Sequence, residues 1–207
     1  MKRRWLLRMM IGIQLGLGAA AAPRLAYAQT GRSALVESAI GYVLAQSSEH
    51  PYAAVLDYST RSNQPRFHVI DRASGTVIHS FIVAHGIGSE PDDMDGVPNI
   101  FLDEVDSNAS SLGLFKTDEV YMSPTEGNGL SMRLRGLSPT NRNAYKRLIV
   151  IHAQSYVEPE MIAALGVAGR SDGCMVFSSA DRDTVIQLLR GGALIYAVAA
   201  VPGSSAD

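Results

Sequence analysis

The chain has almost none of the covalent cross-linking capacity that can hold a domain together. Its 207 residues contain one cysteine, Cys174, so no internal disulfide can form. That thiol is left as an inert buried group, an intermolecular link or a nucleophile. Five histidines and one cysteine, widely scattered, cannot build a structural zinc site, and neither a metal nor another cofactor is expected. Positive charge is also scarce once the first residues are set aside. Five of the 18 basic residues lie in the first 28 positions, and the remainder carries 13 basic against 20 acidic residues, about −7. That balance argues against nucleic acid or anionic lipid as a partner. No later apolar run reaches membrane-spanning length, so no stable membrane span is expected after leader removal. Repeats and low-complexity segments are absent outside the two ends.

What is present begins with "MKRRWLLRMMIGIQLGLGAAAAPRLAYAQ". A basic start, a short apolar middle and "AYA" before Gln29 predict a signal peptide over residues 1–28. Arg3-Arg4 followed by Trp-Leu-Leu-Arg reads as a twin-arginine signal, with an ordinary secretory leader as the alternative. The expectation is export to the cell envelope, the periplasm, by the twin-arginine route. About 179 residues would remain, enough for one domain with a real core.

Downstream, "SALVESAIGYVLAQ" has helical apolar spacing with Ser33 as cap, predicting an N-terminal helix within residues 33–50. Strand patterns follow at 52–59, 66–72 and 76–86, the last two joined by a hairpin at "ASG", with the second arm apolar enough to be central. Residues 87–112 are acidic and rich in turn formers, a lid or binding loop. Further strands are predicted at 112–117, 130–137 and 147–153. In the second, Met132 and Leu134 face in while Arg133 and Arg135 face out; the third lies mid-sheet with His152 at its far end. Short helices at 158–166 and 179–192, the latter capped by Ser179, and a closing strand complete a domain over 51–201, with a tail at 202–207. Strands outnumber helices without βαβ alternation, so the fold class is α+β and β-rich.

Cys174 sits in "GRSDGC". A thiol near its ordinary range needs a base to become a thiolate, and His152, at the end of an apolar strand, is a candidate. His68 and His79 fall inside strand patterns, and His50 lies in a turn. Gly173 lets the backbone approach a substrate, its amide and that of Cys174 could face an oxyanion, and Ser171 and Arg170 add donors. Spacing alone leaves open the other reading, a strand-end histidine and a small buried thiol.

Five blocks in order, "VIDRASGTVIHSFIVAHGIGS", "SSLGLFKT", "LSMRLRGL", "NRNAYKRLIVIHAQSYV" and "GRSDGC", resemble the L,D-transpeptidase catalytic domain family, the YkuD-like fold, in its branch with long histidine-to-cysteine spacing. The likeness spans roughly residues 52–198. It implies a β-sandwich with a few short helices, work on peptidoglycan stem peptides in the cell envelope, and carbapenem-type β-lactams as inhibitors. It also implies Cys174 as nucleophile, His152 as base, and Ser171, Gly173 and Arg170 as motif support. His85, in "AHG", matches a family position near the cleft; Tyr121 and Asn128, in the "YMSPTEGNG" segment, are further candidate substrate contacts. Three positions depart from the branch: Ala153 for glycine, Met175 for proline and Asn128 for histidine. Transfer of the acyl group to an amine would make 3–3 cross-links; transfer to water would make an L,D-carboxypeptidase. A non-catalytic peptidoglycan-binding protein and a secreted cysteine peptidase are the competing readings.

Overall fold

A computed structural model describes residues 33–92, 94–125 and 129–200. The predicted leader (1–28), the tail (202–207) and Asn128 lie outside the described residues. Helix α1 (Ala34–Ala45) begins at Ser33, whose Oγ accepts the Val36 N–H at 3.2 Å. Val36, Ala39, Ile40 and Val43 recur at helical spacing and are all buried. They cover Ala53, Val55, Ile70, Leu114, Leu194 and Val198 on one face of the sheet. Each larger apolar side chain on that stripe stabilises the fold by about 1.5–3 kcal/mol relative to exposure.

The strands are β1 (Tyr52–Asp57), β2 (Phe67–Asp71), β3 (Val77–Phe81), β4 (His85–Gly86), β5 (Gly113–Met122), β6 (Leu130–Gly136), β7 (Val150–Ala153), β8 (Arg170–Ser171), β9 (Met175–Phe177) and β10 (Leu194–Val198). Helices α2 (Pro159–Leu165) and α3 (Ser179–Leu189) lie in the second half. Eight strands form one sheet in the order β3-β2-β1-β10-β5-β6-β7-β9, while β4 and β8 pair separately in parallel. Hairpin joins dominate, with parallel pairing confined to β1–β10, β7–β9 and β4–β8. The fold is α+β and strand-rich. No helix among the described residues is long and apolar enough to cross a membrane.

The large sheet does not lie flat. Strands β2 and β9 stand six places apart in it, roughly 29 Å in a flat sheet. Yet the rings of Phe67 and Phe177 meet edge to face at 5.1 Å, and the Ala84 N–H donates to the Val176 carbonyl at 2.8 Å. The sheet therefore curls until its ends face each other. Leu56, Phe67, Phe115, Met132, Leu134, Ile151, Met175 and Phe177 fill the enclosed core, with Val185, Ile186 and Leu189 of α3.

Several expectations change in detail. Strand β3 stops at Phe81 and is an edge strand, with Ile78, His79 and Ser80 exposed, where the apolar run had suggested a central one. The buried apolar residues Val83 and Ala84 belong instead to a connection pinned to β9. The cap of α3 is Ser178, whose Oγ accepts the Asp181 N–H at 3.2 Å, not Ser179. Strand β5 continues to Met122 and takes Tyr121 into the sheet. Helix α2 ends as predicted, with Gly166 left-handed at φ 76°.

Candidate active site

The register of β7 and β9 organises the site. Ile151 pairs with Met175 and His152 with Val176. Ile151, Met175 and Phe177 enter the main core, so the alternate positions face the other side of the sheet. His152, Val176 and, two residues before it, Cys174 share that outer face. Cys174 and Val176 belong to a small apolar cluster with Ala84, Val157 and Ala168. His152 on β7 and Cys174, one residue before β9, thus lie toward the same face at neighbouring positions of the parallel pair.

The His152 ring is buried, and its Nδ1 lies 3.0 Å from the Ala153 carbonyl. A carbonyl only accepts, so Nδ1 carries the proton and Nε2 is the ring's acceptor. Burial holds the imidazole below its ordinary pKa; the Ala153 carbonyl opposes the shift, and the Arg182 charge adds to it. The ring is neutral at neutral pH. Ala153, where the branch has glycine, thus contributes its carbonyl, and Met175, where the branch has proline, packs into the core on the opposite face.

Cys174 is half-buried, and its Sγ–H points to the Leu148 carbonyl at 3.6 Å. Burial pushes the thiol up to about 11, with the Asp172 carboxylate acting in the same direction. The Val150 N–H and the Arg147 guanidinium act against it. At rest the group is a thiol that needs a base.

The turn before Cys174 is specified atom by atom. Gly173 is left-handed at φ 103°, and a Cβ there would lie 2.6 Å from the Ala109 carbonyl oxygen and 3.1 Å from Arg147 Nη2. Both the dihedral and the space demand glycine. Ser171 Oγ donates to the Cys174 carbonyl at 2.8 Å and accepts the Gly173 N–H at 3.2 Å. The Gly173 amide, expected to face an oxyanion, is therefore engaged inside the turn. Arg170, on β8, donates to the Glu90 carbonyl at 2.5 Å.

Sequence reasoning missed Arg147. Its guanidinium makes four hydrogen bonds to the loop before β5: Leu102 O, Ser107 Oγ, Ala109 O and Ser111 Oγ. Its side chain is 3% exposed, with Asp103 4.0 Å away. The loop expected as a lid is thereby stapled beside the Cys174 turn. Asp103 adds a second staple through Asn143, and Gly88 N–H donates to Asn108 O. Its partners lie 36 to 45 residues upstream, and no local pattern signals them.

His85 is fully buried, not on a substrate surface. Arg66 Nη2 donates to its Nδ1 at 3.0 Å, so its Nε2–H donates to Glu90 Oε2 at 2.9 Å. Burial, with Arg66 and Arg170 nearby, pushes this imidazole down to about 3. Arg66, also missed from sequence, donates to the Val83 and Thr60 carbonyls. Both ring nitrogens of His85 are thus occupied, and its carbonyl lies 3.3 Å from Ser171 Oγ. Its position braces the turn from below. Tyr121 is half-buried on β5, three strands from Cys174 in the sheet order, with the Arg133 guanidinium 4.9 Å from its ring centre. Among the described residues no three His, Cys, Asp or Glu side chains are grouped to hold a metal ion.

A family model for the L,D-transpeptidase catalytic domain matches residues 28–198. No curated protein matches the sequence. Among solved structures, an L,D-transpeptidase from Stackebrandtia nassauensis is similar at 13% identity and a TM-score of 0.43, over 80% of this chain and 67% of that one. An L,D-transpeptidase from Mycobacterium smegmatis is similar at 15% identity and 0.41, over 72% and 58%. A third, solved in complex with imipenem, is similar at 15% identity and 0.42, over 72% and 59%. The chain thus spans about three fifths to two thirds of the length of these proteins.

Proposed function

The chain belongs to the L,D-transpeptidase catalytic domain family, and from that membership we propose that it is an exported cysteine acyltransferase acting on peptidoglycan stem peptides in the periplasm. His152 Nε2 takes the Cys174 proton, and the thiolate attacks the carbonyl at the L-centre of the third residue of a tetrapeptide stem, a diamino acid. The C–N bond to the terminal D-alanine breaks as the imidazolium returns the proton to the leaving nitrogen. A thioester remains on Cys174. An amine of a second stem attacks it, the C–S bond breaks, and a 3–3 cross-link forms as the thiol is regenerated.

The Cys174 N–H, with the turn held by Ser171 and Gly173, is the candidate oxyanion donor. Arg147 favours the thiolate by its charge, whereas burial and the Asp172 carboxylate oppose it. Carbapenem-type β-lactams, strained amides open to the same thiolate, are proposed as acylating inhibitors.

One observation carries this reading: the β7–β9 register sets His152 and Cys174 on the same face, with the His152 proton committed to the Ala153 carbonyl. The test incubates the protein with tetrapeptide-bearing muropeptides and follows products by mass spectrometry. Cross-linked dimers with loss of D-alanine are expected from the wild type and none from Cys174→Ala. Cross-linking by Cys174→Ala would reject the assignment. Tripeptide monomers alone would identify water as the acceptor.

A further inference from the structure

Arg182 acts on His152 through its charge, yet the reaction above gives it no task. It sits in the opening turn of α3, a helix end where the dipole favours acids over cations, so its charge does not serve α3 itself. Its side chain is nevertheless only 11% exposed. Nε donates to Asp183 Oδ1 at 2.7 Å, and Nη1 donates to the Leu130 carbonyl at 2.7 Å. The seat is close: a Cβ on Gly129, left-handed at φ 59°, would lie 3.2 Å from Nη1. Arg182 thereby clasps α3 to the arm of the β5–β6 hairpin that returns into β6.

That arm runs beside the base. Strand β6 pairs with β7 antiparallel, Met132 with Ile151 and Arg133 with Val150. One and two steps further in the same register, Ser131 stands at the level of His152 and Leu130 at that of Ala153. The Ala153 carbonyl holds the His152 Nδ1 proton, so the clasped residue neighbours the group that fixes the ring. Strands β6 and β9 and helix α3 all pack against β7. Among the described residues, β6 brings Arg133 and Arg135, α3 brings Asp181, Arg182 and Asp183, and Cys174 precedes β9. Arg133 and Arg135 are paired with Glu119 and Asp118, and Asp183 is 64% exposed. Of these charges, that of Arg182 bears on the ring. It joins burial in opposing the imidazolium, against the Ala153 carbonyl.

Resting on the proposed role of His152 as base, we infer that Arg182 is its positioning residue: the clasp fixes the strand beside the Ala153 carbonyl, and the charge keeps the resting Cys174–His152 pair as thiol and neutral imidazole. The proton then moves to His152 only in the course of the attack. An imidazolium near a fixed cation gives that proton up readily to the leaving nitrogen.

The His152 ring is titrated by NMR in Cys174→Ala protein, where no thiol couples to it. Arg182→Gln should move the titration to higher pH, and Arg182→Lys, which keeps the charge, should leave it in place. An unmoved titration in Arg182→Gln, or an equal movement in Arg182→Lys, overturns the charge role. With Cys174 present, Arg182→Gln should speed iodoacetamide alkylation at pH 7 roughly threefold, because the thiolate–imidazolium pair is less opposed. The same variant should slow D-alanine release roughly tenfold. A merely structural arginine would slow both, and slower alkylation counts against the proposal. Amide hydrogen exchange at Leu130 and Ser131 should quicken in Arg182→Gln, and unchanged exchange overturns the clasp. Should Arg182→Gln fail to fold, Arg182→Met, which keeps the buried stem, replaces it in each measurement. A moved titration with no D-alanine released by the wild type would keep the role of Arg182 at His152 and remove the transpeptidase reading.

Discussion

On one side of the Cys174 turn, polar groups are buried and fully matched; on the other, they are exposed and left over. The Arg66–His85–Glu90 chain beneath the turn uses both nitrogens of its imidazole, both oxygens of its carboxylate and three guanidinium nitrogens. No buried side-chain nitrogen or oxygen among the described residues lacks a partner. In the wall of a pocket beside the turn, the charged side chains of Asp106, Lys146 and Asp172 have none within the fold. The difference separates two tasks. Matched burial fixes the position of Cys174, whereas unmatched charge at a surface stays open to solvent.

Substitutions should therefore fall into two classes. The largest loss is expected beneath the turn: Arg66→Met leaves His85 Nδ1 and the Val83 and Thr60 carbonyls without their donor and should cost about 3–5 kcal/mol in urea unfolding. A loss below about 1 kcal/mol would mean that the network is not a unit. Gly173→Ala should follow at about 2–4 kcal/mol, because both the left-handed backbone and the Ala109 carbonyl exclude a methyl group. Activity should vanish with it even where the fold survives.

The acid response comes next. His85 is held neutral with its pKa pushed down to about 3, against about 6.5 in the unfolded chain. Between those values the unfolded chain binds a proton and the folded one does not. The stability is fully present above pH 6.5 and is lost as pH falls toward 3. The melting temperature should drop more steeply across that window in the wild type than in His85→Gln, and parallel curves would remove His85 as the cause. Smallest of all, Lys146→Gln and Asp172→Asn should each change stability by no more than about 0.5 kcal/mol in urea unfolding. A large stability change in either would erase the contrast between the two sides.

Much of this was legible in the sequence. The Ser33 cap, the inward Met132 and Leu134, the left-handed Gly166 and the strand leading to His152 follow from local rules of capping and alternation. What escaped depends on contacts between distant residues. Nothing near Arg66 or Arg147 announces a buried guanidinium, because their partners lie at Val83, His85, Leu102 and Ala109. The run 76–86 looked like one central strand since most of its residues are apolar; the break after Phe81 accompanies the bond from Ala84 to β9. His85 resembled a cleft residue by its place before a glycine, and its burial depends on Glu90 and Arg66 converging on it. The site's geometry likewise needed the β7–β9 register, which no local pattern encodes.

The meeting of Phe67 with Phe177 has a kinetic meaning. These residues come from opposite thirds of the chain, and the parallel strands that accompany them are slow, long-range pairings. The wall that supports the cysteine turn forms only when early and late segments have found each other. A chain still emerging, or cut short before the last helix, carries the same thiol without the neighbours that would awaken it. On the proposed mechanism, reactivity would be withheld until assembly is finished.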